Sequence, residues 1–265
     1  MNDGRSIPQL GFGVFKVPDA EAAEVVETAI GVGYRHIDTA SLYENERGVG
    51  EGVRASGIPR EDVFVTTKVW NDSQGYDETL RSFDSSLERL GFDYVDLYLI
   101  HWPQPQLDRY VDTWRALEKL QADGRARSIG VSNFEPAHLD RLIAEGTVVP
   151  AINQVELHPL MQQWEVRVHN SMNGILTEAW APLAKGRLLD HPVLVPIAGK
   201  HGKTVTQVVI RWHLQLGNVV IPKSVTPSRI AENFEVFDFE LDAADLDAIL
   251  ALDSGNRIGA HPNES

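Results

Sequence analysis

Short apolar runs alternate with longer amphipathic stretches along the whole chain. The apolar runs are rich in β-branched residues and cover residues 10–14, 34–39, 63–69, 94–101, 127–132, 151–156, 175–180 and 219–222. Between them, apolar residues recur at helical spacing, as at Leu80, Phe83, Leu87 and Leu90, where Gly91 then stops the helix. This alternation predicts repeated βα units and therefore a parallel sheet.

The amphipathic stretches predict helices over residues 20–30, 79–90, 110–122, 137–145 and 205–216, with two extra C-terminal helices over 227–235 and 243–252. Asp19 is the expected N-cap of the first helix, and Gly31 and Gly33 are its expected stop. Residues 1–9 predict a turn or a short hairpin, because Asn2-Asp3-Gly4 is a turn sequence. Eight strands close a barrel with a filled interior, so we predict an α/β fold, one (β/α)8 TIM barrel domain over residues 1–265.

Composition excludes several classes of site and partner. The chain has no cysteine, which removes disulfides, thiolate zinc sites, iron–sulfur clusters and cysteine nucleophiles. Its 38 acidic against 24 basic residues give a net charge of −14, which disfavours nucleic acid and anionic membranes as partners. The N-terminus lacks a signal-peptide core, and no apolar run approaches the ~20 residues that span a bilayer. We expect a cytoplasmic monomer.

Polar residues stand where the predicted strands end. Active sites of (β/α)8 barrels form at the C-terminal ends of the strands, so these residues are the first candidates. Tyr43 follows the second strand in the connecting loop. The residues at the strand ends are Asp38, Lys68, His101, Ser132, Asn133, Gln154, Trp180 and Lys223.

Four of these candidates fit carbonyl reduction. The ammonium of Lys68 beside Tyr43 would favour the phenolate and lower the pKa of the phenol, and Asp38 would keep Lys68 charged. His101 could position a carbonyl oxygen, which Tyr43 would protonate as hydride reaches the carbon. Because no side chain supplies hydride, the chemistry requires a nicotinamide.

Each of the four also has a structural interpretation. Asp38 and Lys68 could form an ion pair at the barrel rim, and His101 could be a satisfied histidine packed beside Trp102. Tyr43 could be a half-buried aromatic residue with its hydroxyl in water. Two other functions stay open: a Schiff-base lyase with Lys68 as nucleophile, which a charged amine beside Asp38 disfavours, and a nucleotide-sensing barrel without turnover.

The common nucleotide and metal motifs are absent from the sequence. The segments 11–13 and 48–50 lack the third glycine of G-x-G-x-x-G, so we interpret their glycines as packing or turn residues. Glu156 and His158 have no third ligand nearby in sequence, which favours a packed strand end over a metal site. We predict no metal.

A basic cluster near the C-terminus predicts an anion site. Pro227 can occupy the first turn of a helix, whose N-terminus would face Lys223 and Ser224. With Arg229 added, this is a suitable phosphate site, although ordinary solvated charge is the alternative.

The motifs, taken in order, resemble those of the aldo-keto reductase family. Residues 33–40 followed by Tyr43, Glu44 and Gly50 are similar to the family's first signature, and residues 221–224 with Arg229 resemble its last. Residues 67–68, 100–103, 130–134 and 153–156 match between them, so the resemblance covers nearly the whole chain. Within the family, the sequence is similar to bacterial 2,5-diketo-D-gluconate reductases.

This resemblance implies specific roles. The catalytic tetrad falls on Asp38, Tyr43, Lys68 and His101. The residues implied to hold NADPH are Ser132, Asn133 and Gln154 for the carboxamide, Trp180 for the nicotinamide ring, Leu183 and Lys185 for the pyrophosphate, Lys223, Ser224 and Arg229 for the 2′-phosphate, and Glu232 and Asn233 near the adenine. Phe15, Trp70 and Trp102 would line the substrate mouth. The implied function is NADPH-dependent reduction of small aldehydes and ketones, such as 2,5-diketo-D-gluconate or methylglyoxal.

Overall fold

Eight parallel strands form one sheet in the computed structural model, which describes residues 1–264. Each strand pairs with its neighbours in chain order, and a parallel bridge between Leu10 and Val220 brings the last strand back to the first. The predicted (β/α)8 barrel is therefore confirmed. The strands are β1 Phe12–Gly13, β2 His36–Asp38, β3 Phe64–Val69, β4 Val95–Ile100, β5 Ala126–Ser132, β6 Ile152–Glu156, β7 Leu176–Trp180 and β8 Val219–Val220.

Helices connect the strands and continue beyond the last one. Each helix predicted from the sequence is present, and it begins and ends within a few residues of the expected positions. These include the two extra C-terminal helices. The helices are α1 Asp19–Val32, α2 Glu46–Ala55, α3 Tyr76–Leu90, α4 Tyr110–Ala122, α5 Pro136–Glu145, α6 Trp164–Met172, α7 Leu194–His201, α8 Val205–Gln215, α9 Pro227–Phe234 and α10 Ala243–Leu250. None of the helices within residues 1–264 is long and apolar enough to cross a bilayer.

The expected caps of α1 were partly wrong. The N-cap is Pro18, and the Asp19 carboxylate instead accepts a hydrogen bond of 2.9 Å from the backbone N–H of Gly48. The carboxylate thus links α1 to α2, a tertiary contact that outweighs local capping. Gly31 lies inside α1, and Gly33, with φ of 132°, is the residue that ends it.

The glycines of α2 are packing residues, as expected from the sequence. A Cβ added to Gly50 would lie 1.9 Å from the carbonyl oxygen of Leu90 in α3. On the side of α1, a Cβ at Gly48 would lie 2.4 Å from the Asp19 oxygen, and one at Gly52 would lie 2.5 Å from the Ala23 oxygen. Helix α2 therefore lies closer to its neighbours than any side chain would allow.

The N-terminal segment closes the bottom of the barrel. The first four residues form a turn, in which Gly4 N–H bonds to the Met1 oxygen, and none of residues 1–9 lies in a strand. Met1 and Ile7 pack against a small interior cluster of Leu97, Leu99 and Ile152. The turn was the correct one of the two predicted alternatives, and it serves as a plug despite its shortness.

Polar side chains fill the barrel above this plug. Residues two apart on a strand share a face, so His36 shares the inward face of Asp38, and Glu178 that of Trp180. His36 and Glu178 have no solvent exposure at all. A buried polar layer therefore lies directly beneath the strand ends.

Candidate active site

A cavity of about 1010 Å³ opens at the C-terminal ends of the strands. Of the residues proposed from the sequence for catalysis, cofactor binding or substrate binding, only Lys68 does not reach its surface. The candidates that line it are Phe15, Asp38, Tyr43, Trp70, His101, Trp102, Ser132, Asn133, Gln154, Trp180, Leu183, Lys185, Lys223, Ser224, Arg229, Glu232 and Asn233. The fold thus brings distant segments of the sequence to one rim.

A fully buried ion pair lies at the base of the cavity. Lys68 Nζ donates to Asp38 Oδ1 at 2.7 Å, to Asp38 Oδ2 at 2.8 Å and to the Thr39 carbonyl at 2.9 Å. Burial by itself lowers the pKa of Lys68, but the charge and hydrogen bonds of Asp38 raise it above the ordinary value. Lys68 is therefore a charged, immobilised ammonium whose three protons are all engaged.

Tyr43 lies between this ion pair and the open cavity, at the end of a short 3-10 turn, Ser41–Tyr43. The ammonium of Lys68 is 5.2 Å from the centre of its ring. Burial raises the pKa of Tyr43 to about 12, while the Lys68 charge offsets only part of that rise. The effect of Lys68 has the expected sign, but the net pKa is raised, because desolvation of the phenol has the larger effect.

His101 completes the cluster from β4. Its ring packs edge-on against Tyr43, with centres 5.7 Å apart, and against Trp70 at 5.0 Å. Burial, with a smaller effect of Lys68, lowers the pKa of His101 well below its ordinary value, so the imidazole is neutral. Its Nδ1 is buried without a hydrogen-bond partner among residues 1–264, which contradicts the interpretation of a satisfied structural histidine.

A polar network joins the ends of β5, β6 and β7. Ser132 Oγ donates to the Gln154 carbonyl at 2.8 Å, and Trp180 Nε1 donates to Asn133 Oδ1 at 2.8 Å. Gln154 Nε2 donates to Asp38 Oδ2 at 2.8 Å, so this network reaches the buried ion pair. The arrangement fixes the Trp180 indole beside two amide groups, which suits a flat heteroaromatic ring with a carboxamide.

The loop after β7 has an unusual backbone. Ala181, Ala184 and Lys185 have φ of 49°, 50° and 54°, the left-handed region that non-glycine residues rarely adopt. Leu183 lies inside this run, and Lys185 Nζ is 3.5 Å from the Ile258 carbonyl. Strained backbone of this kind concentrates at functional sites, and here it follows directly after Trp180.

Two cations that line the cavity, Lys223 and Arg229, have no anionic partner among residues 1–264. Within residues 1–264, neither Lys223 nor Arg229 contacts a carboxylate, although the chain is strongly acidic. Helix α9 begins at Pro227, as predicted, and Ser224 Oγ accepts from the Thr226 N–H at 3.1 Å. Unpaired cations beside a helix N-terminus fit a phosphate group.

Glu232 and Asn233 lie further along α9. Glu232 Oε1 accepts a hydrogen bond of 2.9 Å from Thr204 Oγ1, the N-cap of α8, and Asn233 is buried. Thr204 and Thr206 also line the cavity and were missed as candidates. The T-x-x-Q capping box of Thr204 and Gln207 was a readable sign of a helix N-terminus here.

The cavity mouth is aromatic. The ring of Phe15 is about half exposed and lies 5.0 Å from that of Tyr43. Trp70 stacks edge-on with His101, and the Trp102 carbonyl accepts from Gln74 Nε2 at 2.7 Å. These rings form an apolar entrance to the polar cluster beneath them.

The C-terminal tail forms one further wall, which the sequence did not indicate. Gly259 and Ala260 line the cavity, and the buried Glu156 carboxylate accepts hydrogen bonds from the N–H groups of Ile258 and Gly259 at 2.5 and 2.7 Å. His158 Nε2 lies 3.1 Å from Glu156 Oε1. Glu156 and His158 therefore lie at a packed strand end, where Glu156 holds the tail.

Comparisons with known proteins agree with this site. The family model described as "Aldo/keto reductase family" matches residues 9–254. The glyoxal reductase of Bacillus subtilis is 53% identical over 265 residues, covering 100% of this chain and 95% of the relative. The methylglyoxal reductase DkgA of Escherichia coli K12 is 49% identical over 266 residues, with 100% and 96% covered.

Solved structures give the same result. A variant of the protein Gox0644 in complex with NADPH superposes with a TM-score of 0.96 at 51% sequence identity, covering 99% of this chain and 96% of that one. The family match, the full-length relatives and the shared barrel lead to one conclusion. The chain belongs to the aldo/keto reductase family.

Proposed function

We propose that the protein reduces small aldehydes and ketones with NADPH, and that Tyr43 is the general acid. The observation that carries the proposal is the meeting of three groups at one point of the cavity. The half-buried phenol of Tyr43 lies beside the buried Lys68–Asp38 pair and the neutral ring of His101. The unpaired Lys223 and Arg229 line the same cavity.

NADPH, when bound, supplies the hydride. The raised pKa of Tyr43 keeps the phenol protonated at neutral pH, so the proton is available whenever a substrate arrives. The alkoxide that develops at the carbonyl oxygen is a stronger base than a phenolate and can take that proton. The Lys68 ammonium then stabilises the phenolate left behind, and Asp38 holds the ammonium in place.

The remaining candidates bind and orient. Neutral His101 can donate one hydrogen bond to the substrate oxygen, which fixes the carbonyl against Tyr43. Ser132, Asn133 and Gln154 would hold the carboxamide, with Trp180 against the nicotinamide ring. Leu183 and Lys185 would approach the pyrophosphate, while Lys223, Ser224 and Arg229 would hold the 2′-phosphate, with Glu232 and Asn233 near the adenine.

The lyase alternative is disfavoured by the state of Lys68. A Schiff base needs a free amine lone pair at the cavity surface, whereas Lys68 is fully buried and donates all its protons to Asp38 and Thr39. The non-catalytic alternative gains no support either, because a sensing barrel would not need a buried charge pair behind a phenol.

The substrates we propose are small oxo compounds, including glyoxal, methylglyoxal and 2,5-diketo-D-gluconate. Relatives named for glyoxal and methylglyoxal reduction cover the full length of the chain. The rim formed by Phe15, Trp70 and Trp102 is apolar and open to compounds of varied shape. That the enzyme is monomeric and cytoplasmic stays a prediction from the sequence.

Replacing Tyr43 by Phe tests the assigned acid. Tyr43→Phe keeps the ring contacts with Phe15 and His101 but removes the proton, so kcat for methylglyoxal should fall about 10²- to 10⁴-fold. NADPH affinity, measured by fluorescence titration, should change less than about twofold. Tyr76→Phe, an exposed tyrosine that does not line the cavity, is the control and should keep full activity. Undiminished turnover of the Tyr43 variant would refute the assignment.

A further inference from the structure

A second buried carboxyl lies beneath the active site and takes no part in the chemistry described above. Glu178 is in β7, two residues before Trp180, and its exposure is 0%. It pairs in register with Gln154 of β6, whose side chain donates to Asp38. Glu178 thus lies one layer below the nicotinamide platform and next to the residue that touches the catalytic ion pair.

The groups that favour a charge on Glu178 are the Gln154 amide and the Lys68 ammonium, and burial together with the charge of Asp38 outweighs them. Neither of its carboxyl oxygens has a hydrogen-bond partner among residues 1–264. The three protons of Lys68 go to Asp38 and Thr39. An isolated ionised carboxylate in such a site is so costly that the group takes up a proton instead.

Two other titratable groups that face Glu178, His36 and Asp38, do not favour its ionisation. His36 of β2 places Nε2 3.8 Å from Glu178 Oε1, beyond hydrogen-bond distance, and bonds to Thr66 Oγ1 at 3.1 Å instead. Burial lowers the pKa of His36 to about 4, so its ring is neutral at neutral pH. Asp38 repels a second negative charge, whereas β6 and β8 contribute only Gln154 and Val219 in register.

We propose that Glu178 is a positioning residue that stays protonated in the working enzyme, and that its ionisation at alkaline pH weakens Tyr43 as an acid. In the neutral state Asp38 is the sole carboxylate that acts on Lys68. When Glu178 loses its proton, a second negative charge appears in the same dry interior, and no solvent screens it. The phenol of Tyr43 then holds its proton more tightly, because a phenolate would face two carboxylates.

The electrostatics support each step. Burial, followed by the charge of Asp38, raises the pKa of Glu178 to about 8. The charge of Glu178 in turn raises the pKa of both Tyr43 and Lys68. The coupling therefore acts through space on groups that Glu178 does not touch.

The first experiment measures the proton directly and needs no turnover. A neutral carboxylic acid has a carbonyl stretching band in the infrared that a carboxylate lacks. We expect wild-type protein at pH 6 to show a buried acid band that disappears as the pH is raised through about 8 and that is missing from Glu178→Gln. A spectrum in which Glu178→Gln removes no acid band at pH 6 would overturn the proposal. If the variant fails to fold, the pH titration of the wild-type protein still tests the proposal. An acid band that does not disappear as the pH passes through about 8 would overturn it.

The second experiment rests on the proposed carbonyl reduction and measures its proton step. In single-turnover reduction of methylglyoxal, the wild-type rate should fall above pH 8 by up to about tenfold per pH unit. Glu178→Gln keeps the shape of the side chain without its charge, and its rate should stay level to at least one pH unit higher. The KM for methylglyoxal should not change.

A matched control separates charge from general alkaline damage. Glu51 is exposed on α2, so Glu51→Gln removes one carboxylate without touching the barrel interior and should keep the wild-type pH profile. Identical profiles for wild type and Glu178→Gln would overturn the coupling to Tyr43. Absence of any carbonyl reduction at any pH would contradict the proposed function, while the infrared result on Glu178 would stand by itself.

Discussion

Arg229 is the residue at which the choice between NADPH and NADH can be tested most directly. It lies on α9 and lines the cavity, it is exposed, and it makes no ion pair within residues 1–264. Removing it therefore breaks no ion pair or side-chain hydrogen bond within the described residues. A selective loss of NADPH affinity in Arg229→Ala therefore reports on a contact with the ligand.

The expected magnitude follows from the contact proposed. A hydrogen bond to a charged group contributes about 1.5–3 kcal/mol, so loss of one guanidinium–phosphate contact should weaken NADPH by about 10- to 150-fold. NADH carries no 2′-phosphate, so its affinity should change less than about twofold. Losing one positive charge from a protein of net charge −14 also lowers the affinity for both cofactors through long-range electrostatics. Salt screens this effect beyond ~8 Å at physiological ionic strength.

The assay is fluorescence titration of both cofactors at fixed ionic strength. Arg47→Ala is the matched control, because Arg47 is also exposed, lies on α2 and does not line the cavity. It should leave both affinities close to wild type. Equal losses for NADPH and NADH in Arg229→Ala, or an equal loss of NADPH affinity in Arg47→Ala, would refute the 2′-phosphate contact.

Two further predictions concern stability. Gly50→Ala should lower the free energy of unfolding by about 1–3 kcal/mol, because its Cβ would lie 1.9 Å from the Leu90 carbonyl oxygen. Gly31→Ala should raise the free energy of unfolding by about 0.5–1 kcal/mol, because Gly31 has open space around it inside α1. Thermal melts of the two variants and the wild type measure both effects. The folded protein keeps a proton on Glu178 that the unfolded chain releases above about pH 4.5. The free energy of unfolding should therefore fall by about 1.4 kcal/mol per pH unit as the pH rises from about 4.5 to about 8. Glu178→Gln should lack this loss. A difference in Tm between that variant and wild type that does not grow from pH 5 to pH 8 would contradict the assignment.

Much of the site was predictable because strand ends are readable in a sequence. Asp38, Lys68 and His101 each follow an apolar run, and the barrel rule then brings these ends to one rim. Helix α2 was harder to delimit, because its three glycines weaken the helical pattern. These glycines are required because α2 packs closely against α1 and α3, and such tertiary packing cannot be read from the local sequence.

Energetic balances were less predictable than positions. The direction of the pKa shift of Tyr43 depends on how completely the phenol is desolvated, and sequence gives no measure of that. Glu178 was overlooked, although period-two alternation puts it on the same face as Trp180. Its surroundings, made by β2, β3 and β6, became visible only when the strands were assembled.

The C-terminal tail held by Glu156 shapes the cavity but is not part of the barrel scaffold. Its residues Gly259 and Ala260 shape one wall of the cavity, yet they lie outside every strand and helix. The ladder of eight strands is complete without them. Substitutions at Ala260 can therefore reshape the entrance without interrupting the strand ladder, whereas a Cβ at Gly259 would lie 2.4 Å from the Trp180 ring and 2.7 Å from the Glu156 carboxylate.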